Sequence, residues 1–190
     1  LRHPSKIRLG DGVIVDDLAV LDAKGEGNEG ISIGAWSYIG RHSIVYCKNG
    51  RITLEEEVNL SSNCQLFSSN DLRIGHGTLI GAYSYLMSGG SYDVDSEKRF
   101  CEQDGMKTKG PLIIGRDCWL GARVTVLDGA SVGDHTVVGA GSVVTRPLPA
   151  GCVAVGVPAR VLRRRSVLPV AKGDGADGHI GPPAEPEVEG

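Results

Sequence analysis

The 190-residue sequence has no apolar run approaching the ~20 residues that a membrane-spanning helix requires. Its first residues carry no signal-peptide pattern, and it opens on Leu1 rather than Met, which leaves the completeness of the N-terminus open. Net charge is also nearly absent. Lys and Arg number 20 against 23 Asp and Glu, a formal charge of −3, so no global field draws the chain to nucleic acid or acidic membranes. The five cysteines (Cys47, Cys64, Cys101, Cys118 and Cys152) are odd in number and form no CxxC. That argues against a disulfide framework and for a reducing cytoplasm. Histidine is missing from one particular stretch, between His76 and His135.

What is present is a period of six. From Ile114 to Pro149, the first place of each six is Ile114, Leu120, Val126, Val132, Val138 and Val144. Six aliphatic residues in register arise by chance about once in 4,000 windows, and a fixed short period marks a solenoid. The second place is glycine at Gly115, Gly121, Gly133 and Gly139, and the fifth place is small at every six except the last, where it is Leu148. Because six is even, strand alternation keeps phase from unit to unit, with first and fifth places inward. The glycine is expected at a corner where positive φ is needed. Three sixes close a flat coil, and the next coil stacks about 4.8 Å away with parallel strands. Strands separated by helices, or an ordinary sandwich, would not hold this period.

The same rule runs back along the chain. Leu9, Val15 and Leu21 head a first coil, with Val13 and Ala19 at fifth places. Lys24 to Gly30 reads as a loop at a corner. Ile33, Ile39 and Val45 head the second coil, with Ser37 and Ser43 at fifth places. A small insertion near Arg51 to Thr53 is expected before the third coil, headed by Leu54, Leu60 and Leu66. Ile74, Ile80 and Leu86 head the fourth. Cys64 and Cys118 fall on inward fifth places as small core residues, whereas Cys101 lies in a loop. The period then stops from Tyr92 to Ile113, a charged loop of the kind that usually serves a function. After the last coils, Pro147 to Arg165 leaves the period, and Val161 to Arg165 reads as a short cap over the open end. One domain is expected over 1–171, followed by a disordered Gly/Pro/acidic tail over 172–190.

The stretch IIGRDCWLGARVTVLDGASVGDHTVVGAGSVVT, with GVPARVL after it, resembles the hexapeptide-repeat acyltransferases. Maltose and galactoside O-acetyltransferases, virginiamycin acetyltransferases and polysaccharide-biosynthesis acetyltransferases are similar families. The resemblance covers about residues 9 to 165. It implies an all-β, left-handed parallel β-helix, and a homotrimer whose long loops reach across to neighbours. It also implies acyl, most simply acetyl, transfer from CoA to a sugar or sugar-linked acceptor, without a metal. Carried over, the CoA groove would use Trp119, Gly121 and Ala122 in CWLGA, and Gly139, Ala140 and Ser142 in GAGS. Thr145, Arg146, Arg160 and Arg163 would meet the adenine and phosphate end, where arginine forks suit phosphate oxygens. The glycines also turn corners in any such solenoid, Trp119 could seal a corner, and the arginines could be a solvated basic end.

The family's general base is a histidine at the start of the long loop. Here Met87 to Asp93 reads MSGGSYD, so Ser91 or Tyr92 takes that place. Three readings stay open. Another group could act as base, with Asp93, Glu102 or Asp104 as candidates if burial raises the carboxyl pKa. Tyr92 would need a strongly lowered pKa to do so, though it could donate a hydrogen bond unchanged. For an amine acceptor, positioning beside the thioester could supply much of the rate. Alternatively, the chain is a binding or scaffold subunit, or a purely structural β-helix. Other enzymes on this fold fit less well. A γ-type carbonic anhydrase needs converging histidines, and His42, His76 and His135 read as exposed corner residues. A serine acetyltransferase would carry a helical N-terminal domain and the loop histidine, and a sugar nucleotidyltransferase would need a nucleotide-binding domain. Tyr83 and Tyr85 face outward, either to stack on a sugar or to contact a neighbouring subunit.

Overall fold

The computed structural model describes residues 1–103 and 107–166. Asp104, the domain boundary at 171 and the tail from Lys172 lie outside the described residues. The chain is a left-handed parallel β-helix, with three sheets of 6, 8 and 6 strands among the described residues. Each coil contributes one short strand to each sheet. The first, second and third sheets meet at three corners: the first between sheets one and two, the second between two and three, the third between three and one.

The period of six becomes the register. Leu9 pairs with Ile33, Ile33 with Leu54, Ile74 with Ile114, and Ile114 with Val132 along the first sheet. Leu60, Ile80, Leu120 and Val138 stack in the second. Leu21, Val45, Leu66, Leu86, Val126 and Val144 stack in the third. From Leu21 onward these first places are buried. Leu9 is 44% exposed because its coil ends the stack and has no neighbour below it. The inward hydroxyls at fifth places tie coil to coil. Ser84 Oγ donates to Gly81 O at 2.7 Å and accepts Val124 N–H at 3.2 Å. Thr78 does the same between Gly115 O and Cys118 N–H. Buried hydroxyls are tolerated because each has partners.

The corners correct one expectation. Positive φ falls at the fourth place, at Trp36, His42, Asn63, Tyr83, Arg123 and His135, and not at the second-place glycines. Those glycines are required by space. A Cβ on Gly40 would lie 2.6 Å from Ser61 C, and one on Gly121 would lie 2.6 Å from Ala140 N. The flat strand-to-corner transition brings the next coil's backbone too close for any side chain.

Three boundaries also differ. The three extra residues between Val45 and Leu54 are absorbed into regular structure: Arg51 to Thr53 lie in strand Gly50–Leu54, whose Ile52 is buried beside Leu54. The long loop ends earlier than expected, because strand Leu112–Ile114 already pairs with the fourth coil. Pro147 to Arg165 leaves the period of six yet continues the stack. Leu148 bridges to Val132, Cys152–Val155 pairs parallel to Val137–Val138, and Ala159 N–H bonds Val143 O. Arg160–Arg164 then turns back antiparallel on Cys152–Val155. Val161 and Leu162 remain exposed, so this strand covers the edge of one sheet and does not plug the coil mouth.

Candidate active site

The small residues of coils five and six converge at the second corner. Gly121 and Ala122 follow strand Trp119–Leu120, and Gly139, Ala140 and Gly141 follow Val137–Val138 one coil on. Gly141 N–H donates to Ala122 O at 2.8 Å, which fixes the two turns against each other. Ser142 is buried, and its Oγ accepts Gly156 N–H at 3.0 Å, tying this corner to the closing hairpin. Trp119 is 57% exposed on the outer face of the second sheet, beside Val137 in register. It lies on the flat face and seals no corner.

Above this column, Val153 pairs with Arg163 and Val155 with Arg160. The Arg160 and Arg163 guanidinium groups donate to the main-chain oxygens of Ala159 and Arg164, and neither forms an ion pair among the described residues. Both therefore keep N–H donors free of carboxylates. Thr145 and Arg146 are exposed one corner further on, after strand Val143–Val144. One chain thus groups eight of the ten residues expected around CoA, and these two stand apart.

The long loop leaves at the third corner. Ser91 and Lys107 form an antiparallel bridge, with Ser91 N–H to Lys107 O at 3.0 Å and the reverse bond at 2.7 Å. Tyr92, at the position expected for the family's base, is 46% exposed and packs edge-on against Phe100 at 6.1 Å. The Asp93 main chain is held on both sides by the Gln103 amide. The Asp93 carboxylate accepts Lys107 Nζ at 2.6 Å. That hydrogen bond holds its pKa below the usual aspartate range. Glu102 is likewise lowered by Arg99, which donates from Nε at 2.9 Å. The raised pKa that either carboxylate would need as a base is not found at these ion-paired, solvent-facing positions. Cys101 is exposed in the turn Phe100–Glu102.

Several residues with a part in this arrangement had no sequence signal. Lys107 and Gln103 sit inside an aperiodic segment. Arg123 lies over the Tyr83 ring at 5.7 Å, a contact made possible by their shared corner column. Asp128 is buried at the foot of the loop. Its LDG context reads as an ordinary turn, and only its location one coil above the loop distinguishes it.

A shallow concavity of about 370 Å³ lies at the first corner, lined by Gly34, Glu55, Glu56, His76 and Arg116. Its charges answer one another. Glu55 pairs with Arg73 and accepts His76 N–H at 2.9 Å, and Arg116 lies 3.7 Å from Asp134. This is a corner ladder of exposed ions, away from both the small-residue column and the loop. Among the described residues, no three His, Cys, Asp or Glu side chains group as a metal site, and no helix is long and apolar enough to cross a membrane.

The family described as the hexapeptide repeat of succinyl-transferase matches residues 111–146. The galactoside O-acetyltransferase of Escherichia coli is 30% identical over 163 residues, covering 85% of this chain and 71% of that protein. A probable acetyltransferase of Mycobacterium tuberculosis is 28% identical over 137 residues, covering 72% of this chain. The chain spans 45% of that relative's length. Among solved structures, a point mutant of the N-acyltransferase AntD from Bacillus cereus, in complex with dTDP and coenzyme A, superposes with a TM-score of 0.70. It covers 84% of both chains at 19% identity, a likeness of fold.

Proposed function

Because this chain belongs to the hexapeptide-repeat acyltransferase family, we propose that it transfers an acyl group, acetyl in the simplest case, from CoA to an amine of a sugar or sugar-linked acceptor. The observation that carries this reading is the second corner. Ala122, Ala140 and Gly141 are small where they face outward, and nothing lies within 4 Å of where a Gly141 Cβ would stand, so a narrow arm can lie there. Arg160 and Arg163 follow on the closing hairpin without carboxylate partners among the described residues. CoA has that shape: a thin pantetheine arm and a polyanionic end. Trp119 would cover the arm, Ala122, Gly139 and Ala140 would flank it, and the arginines would bind phosphate oxygens, while Gly121 and Ser142 are buried and would act only by holding the corner from within. CoA supplies the activated thioester; no metal is required.

The loop sets the acceptor side. Asp93 and Glu102 are engaged by Lys107 and Arg99 and are poor proton acceptors near neutral pH. No loop histidine stands in for them. A hydroxyl acceptor needs such a base in the transition state, whereas an amine is nucleophilic as its free base. Its nitrogen attacks the thioester carbon, the carbon–sulfur bond breaks, and the ammonium proton ends on the departing thiolate. What the protein contributes is placement, with Tyr92 as a hydrogen-bond donor at the loop base.

The loop and the small-residue column occupy different corners of one prism. A homotrimer, in which the loop of one chain and the Thr145–Arg146 corner meet the second corner of the next, completes the site. The outward row of Tyr46, Phe67 and Met87 on the third sheet, with Tyr46 and Phe67 rings 5.6 Å apart, supports lateral packing of that kind. The free cysteines favour a cytoplasmic setting.

The test is thiol release from acetyl-CoA in the presence of amino sugars, sugar-nucleotide amines and their hydroxyl counterparts. Acceptor-dependent release with amines, well above that with hydroxyls, is expected. Saturable CoA binding with no release for any acceptor would turn the protein into a binding subunit.

A further inference from the structure

We propose that Asp128 is the positioning residue of the transfer loop, a single carboxylate that staples both ends of the loop to the solenoid. This rests on the transferase reading and adds to it the residue that sets where the loop's reactive segment stands.

Asp128 is 5% exposed at the third place of the third corner in coil five, directly above the point where the chain leaves the stack. Oδ1 accepts the Gly89 N–H at 2.7 Å and the Thr108 hydroxyl at 3.1 Å. Oδ2 accepts the Lys109 N–H at 2.6 Å. Gly89 belongs to the outgoing chain, Thr108 and Lys109 to the returning one. No Lys, Arg or His lies in ion-pair contact with Asp128 among the described residues. A buried carboxylate without a countercharge is costly unless donors surround it, and here the loop supplies all three.

The surrounding backbone is shaped for this contact. Gly89 and Gly90 adopt φ of 94° and 92°, a bend that residues with a Cβ resist. A Cβ on Gly129 would lie 2.7 Å from Lys109 Cβ, so glycine lets the returning chain approach. Thr108 also accepts the Asn70 amide at 3.1 Å, which extends the anchor to coil three. The Ser91–Lys107 bridge sits one step beyond the staple. Gly89 is two residues before Ser91, and Thr108 is one after Lys107. The staple therefore fixes Ser91, Tyr92 and the Lys107–Asp93 pair, the segment that stands where the related transferases hold their base.

The solenoid itself has no need of this acid. Coils four and five are already joined through Tyr85–Thr125 and Leu86–Val126, and through the buried hydroxyls of Thr78 and Ser84. At the other corners, third places such as Arg41, Arg116 and Ala122 are exposed. At the third corner the third places Ala23, Cys47, Ser68 and Ser88 are buried as well, so burial belongs to the corner; a carboxylate at that place occurs only at Asp128, where the loop supplies its donors.

The experiment compares wild type with Asp128→Ala and Thr108→Val, the second removing a donor without deleting the carboxylate. Three quantities are read: acetyl-CoA affinity by calorimetry, kcat and KM for transfer, and the rate of tryptic cleavage after Lys98, Arg99 and Lys107. The expected result for Asp128→Ala is unchanged acetyl-CoA affinity, faster loop cleavage, and kcat lowered by about 10²-fold, the cost of a misplaced reacting group. Thr108→Val should shift kcat and cleavage in the same directions by less. Wild-type kcat in both variants, or unchanged loop cleavage, overturns the staple and leaves the transferase reading standing. A wild type that neither binds acetyl-CoA nor transfers it, with the loop still opened by Asp128→Ala, overturns the transferase reading and with it the positioning role.

Discussion

Gly40→Ala should destabilise this protein more than Gly141→Ala, although Gly141 alone has the left-handed backbone. At Gly40 a Cβ would lie 2.6 Å from Ser61 C and 2.7 Å from Ser62 N. Both are backbone atoms of the next coil, held by Gly40 N–H to Leu60 O at 2.7 Å and Asn63 N–H to Arg41 O at 2.9 Å. No flexible side chain can move aside, so the strain falls at the upper end for overpacking, about 3 kcal/mol. That corresponds to a melting temperature lower by roughly 6–12 °C for a domain of this size. At Gly141, φ is 70° and nothing lies within 4 Å of the added carbon. The cost there is the left-handed conformation alone, about 1 kcal/mol, or roughly 2–4 °C. Gly141→Asn should recover part of it, since Asn63 holds the same place at φ 59°. Thermal melts at one fixed protein concentration decide the matter. A neutral Gly40→Ala beside a severe Gly141→Ala would refute the spatial reading and restore backbone conformation as the reason for the second-place glycines.

Other predictions rest on separate contacts. Ser84→Ala removes the acceptor of the buried Val124 N–H and should lower stability by about 1–3 kcal/mol in denaturant titrations; an unchanged midpoint would mean that the inward hydroxyls do not tie the coils. Leu86, fully buried in the third sheet, should cost about 2–5 kcal/mol when changed to Ala. Glu55 is held below the usual glutamate range chiefly by its hydrogen bond to Arg73. A lowered folded-state pKa stabilises the protein above the ordinary value of about 4.3 and loses that contribution as pH falls through the lowered one. The melting-temperature gap between wild type and Glu55→Gln should therefore be constant near neutrality and close in acid. A gap that widens in acid would contradict the assignment.

The fold was legible because one constraint repeats. A prism three strands round, with one inward position per strand end, writes itself as an aliphatic residue every six, and these residues stack in register from Leu9 to Val144. Corner geometry was legible only in part. Glycine at the second place signals tight space as readily as positive φ, and sequence does not separate the two. The closing segment was hidden because Leu148, Ala154 and Ala159 are spaced six and then five apart, which breaks the period while preserving the stack. The residues expected on the CoA side carried a family motif. The loop did not, because its order comes from single long-range contacts, such as Asp128 to Gly89 and Lys107 to Asp93, that no local pattern encodes.

The most direct measurement is calorimetric titration of the purified protein with acetyl-CoA, repeated for Trp119→Ala and Arg160→Ala. Saturable binding in the micromolar range is expected, weakened about 10-fold by either substitution, as for the loss of ~1.4 kcal/mol. No heat of binding at millimolar ligand, or binding indifferent to both substitutions, would contradict a CoA site at the second corner.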